Sequence, residues 1–276
     1  MMGSNDEPGW QKTKLNTVVR YRNRGKYDYE TVHQLIDKCP LLHISFGSAG
    51  GAPNDDELAS YPVILPMLGC TGCFPPREEW EDDGSRYIYL HGYVSSRFFR
   101  KTAPPRDEES STEQTAKTRV CVSATFLDGI VMALTPNHHS CNYRSVVAFG
   151  HATLVENQEE RLYAMELITN NLVPERWQNT RYPSSAELKA TGIIRIEVDS
   201  ASAKIRTGTT GEARSDLQDE EMKKKVWAGV VPVYTVYGDP VPAPTSTFNG
   251  VPSYIEDWAR EMTDESERYA YAASEK

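Results

Sequence analysis

Residues 119–134, RVCVSATFLDGIVMAL, constrain the fold more than any other stretch of this chain. Two runs with strand patterning, RVCVSATF and IVMALT, are joined by LDG. Asp128-Gly129 between such runs is a hairpin signal, because glycine tolerates the positive φ of a tight turn. The chain is therefore expected to build on antiparallel strands that are neighbours in sequence. Further strands are read at LLHISFG, YPVILPML, RYIYLHG, NYRSVVAFGHATLV and VWAGVVPVYTVYG, and IIRIEVDSASAKIRTG reads as two more. The prolines of YPVILPML place it at an edge or a bend.

Helices are fewer. Asp28 can cap one whose face carries Val32, Leu35, Ile36 and Cys39. Asn157 starts another, with Glu160 three residues on as in a capping box; Leu162, Met165, Ile168 and Leu172 form its apolar face. PSSAELKAT is a short helix, and SYIEDWAREM a terminal one. Many strands, adjacent pairing and few helices predict a mainly β fold with flanking helices, built as a small antiparallel barrel.

The 276 residues suit one domain with embellishments. Residues 1–18 read as a flexible arm, 19–242 as the domain and 243–276 as an extension with a helix. Polar insertions are expected at about 70–85 and 103–117. The second, APPRDEESSTEQTAK, has charge, serine and proline but no aliphatic period, and is expected to be disordered. A net charge of −9 without a basic run argues against nucleic-acid binding. No stretch is long and apolar enough for a membrane span. The start, MMGSNDEPGW, is unlike a signal peptide. Five cysteines without a disulfide framework suit a reducing, cytoplasmic setting.

Several stretches could carry chemistry. PNHHSC places His138, His139 and Cys141 together, but adjacent histidines in extended chain point to opposite faces and no further ligands are evident. No metal is expected there; a polar turn leading into the next strand is the simpler reading. On that strand Arg144 beside Ser145 suits an anion contact. Cys70 and Cys73 have CxxC spacing, but in what reads as a loop and without a second pair. In YLHGYVSSRFFR a strand delivers His91, Gly92 permits a sharp path, and Ser95, Ser96 and Arg97 offer hydroxyls and a guanidinium. That set suits a phosphate dianion and equally fits a solvated turn. Lys204 and Arg206, two apart, share one strand face.

Taken in order, YLHG-x3-SR, VCVSATFLDGIVMA, HHSCNYRSVVAFG, ASAKIRTG and VWAGVVP resemble the pyridoxamine 5′-phosphate oxidase-like family with the FMN-binding split barrel. The branch is the flavin-nucleotide-binding one, similar to nitroimidazole-resistance proteins. The resemblance runs from about Arg20 to Pro242. It implies a homodimer of six-stranded, Greek-key split barrels binding FMN and acting as a flavin-dependent oxidoreductase on a small molecule. The alternative is a non-catalytic flavin- or haem-binding protein of the same fold. By this resemblance Ser96, Arg97 and Ser95 hold the flavin phosphate. Arg144 and Ser145 run along the flavin, and Lys204, Arg206 and Trp227 match later positions. His91 falls where relatives keep a histidine near the flavin. The strand PVILPM lacks the basic residues of the oxidases proper, and GVVPVYTVYGDPVPAP replaces their arginine-containing signature. Both departures argue against pyridoxamine phosphate as the substrate.

Overall fold

The computed structural model describes residues 8–47, 61–77, 84–102 and 117–275. The expected insertion at 103–117 lies almost wholly outside the described residues, as does part of that at 70–85. A two-residue strand β1 (Gly25–Lys26) precedes helix α1 (Tyr29–Lys38). Strands β2 (Leu42–Phe46), β3 (Val63–Met67), β4 (Gly69–Gly72) and β5 (Tyr87–Tyr93) follow, then the short α2 (Arg97–Thr102). Three long strands come next: β6 (Thr118–Met132), β7 (Ser140–Leu154) and β8 (Thr191–Arg206). Between the last two lie α3 (Gln158–Leu172) and α4 (Ser185–Ala190). Then α5 (Arg214–Gln218), α6 (Glu220–Lys225), β9 (Gly229–Pro232) and α7 (Ser253–Glu275) complete the order.

The fold is mainly an antiparallel sheet with flanking helices. Among the described residues it has nine strands rather than the six expected. Their hydrogen-bonded path is β3-β2-β6-β7-β8-β5-β4, with β1 on β8 and β9 on β6. The ends of this path, β3 and β4, are separated in sequence by Leu68 alone. A flat sheet of seven strands would hold its edges roughly 29 Å apart, at about 4.8 Å per strand. One intervening residue spans no more than about 7.6 Å between flanking Cα atoms. The sheet therefore curls until its two edges meet at Leu68, while the hydrogen-bonded path stays open there. Gly69 sits at that meeting point, and a Cβ on it would run into the Leu90 side chain and, at 2.6 Å, the Tyr89 carbonyl oxygen.

The chain divides into two compact units. One comprises the chain through Ala124 together with Val146–Ala203; the other comprises Thr125–Ser145 and Lys204–Lys276.

In the first unit, residues 8–18 are tied down rather than loose. The Trp10 amide donates to Tyr27 O (2.9 Å), its ring stands edge-on to Tyr29, and the buried Asn16 side chain donates to Ala201 O (3.0 Å). Helix α1 is capped by Asp28, which accepts the Thr31 amide at 2.7 Å, and it buries Val32, Leu35 and Ile36 as expected. Its Asp37 carboxylate accepts both the amide (2.6 Å) and the hydroxyl (2.8 Å) of Thr71, fastening the helix to β4. Asn157 caps α3 through the Glu160 amide (2.9 Å), but the Glu160 carboxylate does not return to the cap. It accepts the Tyr89 hydroxyl at 2.8 Å and the Arg195 guanidinium at 3.0 Å. The buried face of α3 is accordingly Glu160, Ala164 and Ile168, and Leu172, expected inside, is exposed. Ala164 and Ile168 pack with Cys70, Tyr89, Val155 and Ile193 into one core cluster.

In the second unit the expected hairpin at Asp128-Gly129 is absent: β6 runs straight through both residues. Asp128 is held by an ion pair with Arg144. Gly129 admits β9, since a Cβ there would meet Val230 Cγ1 at 3.0 Å and Val231 O at 3.3 Å. Gly129–Met132 pair antiparallel with Gly229–Pro232. The reversal comes instead at 133–139, where Pro136–His138 form a 3-10 turn. Likewise β8 is one strand of 16 residues, not two. Helix α7 starts where expected and runs further, burying Ala259, Ala270 and Ala273. Its Ala273 carbonyl accepts from the Gly208 amide (2.7 Å) and the Asn142 side chain (3.1 Å).

The Tyr89–Glu160–Arg195 group sets one expectation. Glu160→Ala leaves a buried hydroxyl without its acceptor and a half-exposed guanidinium without its carboxylate, at a cost of about 2–3 kcal/mol. Urea unfolding measures it, and Glu160→Gln, which keeps an acceptor for Tyr89, should lose less.

Candidate functional site

Strand β5 carries the first cluster of predicted residues. It pairs with β8 so that His91 faces Ile193, and Gly92 and Gly192 lie opposite each other. The two glycines leave room for the Phe99 ring: a Cβ on Gly92 would meet it at 2.7 Å, and one on Gly192 would strike it as well. Phe98 is buried and stacks on Phe46 with centroids 4.5 Å apart. These two rings pin α2 and fix the turn before it. The Ser96 amide donates to Tyr93 O (2.9 Å), the Arg100 amide to Ser96 O (3.0 Å), and the Val94 amide to Ala190 O (3.2 Å). The structure thus brings His91, Ser95 and Ser96 into one short segment, with Ser95 exposed and Ser96 half-buried. Arg97 opens α2, and its side chain lies outside what the structure describes.

His91 is half-buried, and its Nδ1 is buried without a hydrogen-bond partner. Burial holds the imidazole below its ordinary 6.5. The ring is therefore neutral near pH 7, with a lone pair or an N–H that the fold does not use.

The other predicted residues belong to the second unit. Arg144 makes a two-point ion pair with Asp128, Nη2–Oδ1 2.7 Å and Nε–Oδ2 3.1 Å. Its guanidinium lies over the Tyr269 and Phe126 rings, 3.6 and 4.4 Å from their centroids. The Ser145 hydroxyl donates to Lys204 O at 3.2 Å. Arg206 is buried and donates to the Asn142 side chain and to Thr209 O (3.0 Å). Trp227 is 64% exposed and packs over Gly229. Arg144 and Arg206 are thus engaged by the fold itself. Asp128 was the partner that sequence reasoning missed. Its signal, an acidic residue next to glycine, reads equally as a turn.

The CTGC segment is not in a loop: Cys70 lies on β4, whose four residues are all buried. Burial, and then the neighbouring Asp37 carboxylate, push the Cys70 thiol up. Cys73 is buried, and its thiol contacts Pro75 O at 3.3 Å. A thiol raised in this way is not a nucleophile at neutral pH. The pair is a packing element.

Two outcomes follow. As pH falls through 6.5, protons bind the unfolded chain at His91 more readily than the folded one. Stability from this residue is therefore complete above 6.5, the ordinary imidazole value, and is lost as pH falls below it. His91→Asn should flatten that part of the stability–pH curve, read by thermal unfolding. Arg144→Ala strands the Asp128 carboxylate, of which only 5% is exposed, and is expected to cost about 3 kcal/mol. A double-mutant cycle with Asp128→Ala separates the pair from the ring contacts, and an unchanged midpoint in Arg144→Ala would show the pair to be incidental.

The sequence model of the family described as Pyridoxamine 5′-phosphate oxidase matches residues 28–205. A comparison with curated protein sequences gave no match. Among solved structures, the flavocytochrome Anf3 from Azotobacter vinelandii is similar with a TM-score of 0.67 and 25% identity, covering 89% of this chain and 97% of that one. An FAD- and haem-binding protein from Mycobacterium smegmatis is similar with a TM-score of 0.65 and 24% identity, covering 86% and 97%.

Proposed function

The chain belongs to the pyridoxamine 5′-phosphate oxidase family, and on that premise we propose that it binds FMN and serves as a flavin-dependent oxidoreductase acting on a small molecule. The observation that carries the reading is His91: a neutral imidazole with a buried, unpartnered Nδ1, four and five residues before Ser95 and Ser96. A cofactor seated here would satisfy that atom. In this reading the Ser95 and Ser96 hydroxyls and Arg97 hold the flavin phosphate, because short charge-assisted bonds suit a dianion. His91 borders the pocket and can donate or accept a proton at Nδ1. Ser145, Lys204 and Trp227 remain candidates for flavin contact, and Arg144 and Arg206 would act through the groups they already hold. The bound flavin would supply the redox chemistry; the protein positions it. A homodimer, expected from the resemblance, is part of the proposal. Among the described residues, no helix is long and apolar enough to cross a membrane.

A second reading adds haem, with FAD as the alternative flavin. It is favoured by the similarity to the flavocytochrome, which covers 89% of the chain and so extends well beyond residues 28–205. A neutral imidazole with a free ring nitrogen also fits an axial ligand of haem iron. The absorbance spectrum of the purified protein, with mass identification of the released ligands, separates the readings. Flavin bands alone support the first, flavin bands with a haem Soret band support the second, and a colourless protein that binds neither added FMN nor FAD overturns both. Bleaching by NADH or NADPH without air tests the oxidoreductase part, and size-exclusion chromatography the dimer. Arg97→Ala removes a hydrogen bond to a charged group worth about 1.5–3 kcal/mol. It should weaken flavin binding about ten- to over a hundred-fold, and an unchanged dissociation constant would place the phosphate elsewhere.

A further inference from the structure

The 133–139 turn holds two histidines whose fates diverge. His139 Nδ1 accepts the Ala133 amide at 3.0 Å and so closes the turn. His138 turns the other way, toward the segment that follows β8. There its Nδ1 lies 3.7 Å from Glu212 Oε2. One ligand atom each from His138, Glu212 and Asp216 fall within 4.8 Å of one another.

Two further observations give the cluster its meaning. The Glu212 side chain is only 5% exposed. Its Oε1 accepts the Leu134 amide at 3.0 Å, which fixes the carboxylate, while its Oε2 is buried without a hydrogen-bond partner. His138 Nδ1 is likewise buried without a hydrogen-bond partner. Among the described residues, the one ion-pair partner of Glu212 is this histidine; no lysine or arginine reaches it. A buried carboxylate without a firm cationic partner is costly, and here a second carboxylate, Asp216, lies beside it. Aspartate and glutamate oxygens converging with an imidazole nitrogen lower that cost when a cation sits among them.

We propose that His138 Nδ1, Glu212 Oε2 and an Asp216 carboxylate oxygen form a binding site for one divalent first-row transition ion, zinc foremost. The donor set decides the class. An imidazole nitrogen disfavours magnesium and calcium, which take oxygen ligands, and the absence of thiolate from the cluster disfavours cuprous copper. A four-coordinate ion with bonds of about 2.0–2.1 Å holds its ligand atoms about 3.3–3.4 Å apart. The 3.7 Å separation of His138 and Glu212 needs only a small contraction to meet that geometry. Three protein ligands leave a position for water. The Leu134 amide plays the supporting part that orients a ligand carboxylate. The ion would clip the 133–139 turn to the 212–216 segment, two stretches more than seventy residues apart in sequence.

The test uses tag-free, full-length protein, treated with chelator and dialysed, then titrated with cobalt(II). The expected result is about one cobalt per chain with d–d absorption and no thiolate-to-cobalt charge-transfer band. Zinc should displace it, following the usual order of divalent affinities. Loss of a supporting group alone commonly costs about tenfold or more in metal affinity, so Glu212→Gln, Asp216→Asn and His138→Asn should each lose at least that much. Glu212→Gln keeps an oxygen for the Leu134 amide, and far-UV circular dichroism and the melting temperature report whether each variant is folded. No cobalt on the parent protein overturns the site and leaves a His138–Glu212 ion pair. Undiminished binding in folded Glu212→Gln and Asp216→Asn overturns it too, as does a thiolate band that disappears in Cys70→Ser or Cys73→Ser.

Discussion

One residue, Leu68, joins the two ends of a seven-strand hydrogen-bonded path, and most of the first unit answers to that constraint. Because β3 and β4 are consecutive, the sheet must curl, and a curled sheet needs close packing where its edges meet. Gly69 provides it, with no room for a side chain beside Leu90 and the Tyr89 carbonyl. Leu42 of β2, paired with Met67, also reaches Gly69. Strand β4 is then covered by helices: Asp37 of α1 grips Thr71, and Tyr163 and Leu167 of α3 close over Gly72. The burial of all four β4 residues is a consequence. It explains why a CxxC motif here packs as a pair of small apolar groups.

The segment from His91 to Phe99 depends on the same curl at one remove. Paired glycines on β5 and β8 open a space that Phe99 fills, and Phe98 stacks on Phe46 of β2. Aromatic burial on one side of α2 fixes the turn that presents Ser95 and Ser96. His91, two residues before the end of β5, is then left with a buried ring nitrogen that the fold does not satisfy.

The second unit is organised by polar contacts between stretches far apart in sequence. Arg144 is gripped by Asp128 and lies over the Tyr269 and Phe126 rings. Asn142 receives a bond from Arg206 and donates to Gly208 and to Ala273 near the end of α7. These contacts hold the C-terminal helix against the strand ends of its own unit. This unit groups the C-terminal stretch with the ends of β6, β7 and β8.

Local signals were legible in the sequence because local physics produces them. The Asp28 and Asn157 caps, the apolar face of α1 and the strand that carries His91 all depend on residues within a few positions of one another; that strand runs on to Tyr93, two residues past the expected end. The ordered motifs also carried the family. Tertiary structure alone decided the rest. Asp128-Gly129 has the composition of a turn, yet it lies mid-strand because Arg144 and β9 occupy the space around it. Glu160 has the spacing of a capping box, yet Tyr89 and Arg195 compete successfully for its carboxylate. His138 lacked evident ligands because its partners come 74 and 78 residues later in the chain. A buried charge takes the partner that folding brings to it, and separation along the chain does not limit which residue that is.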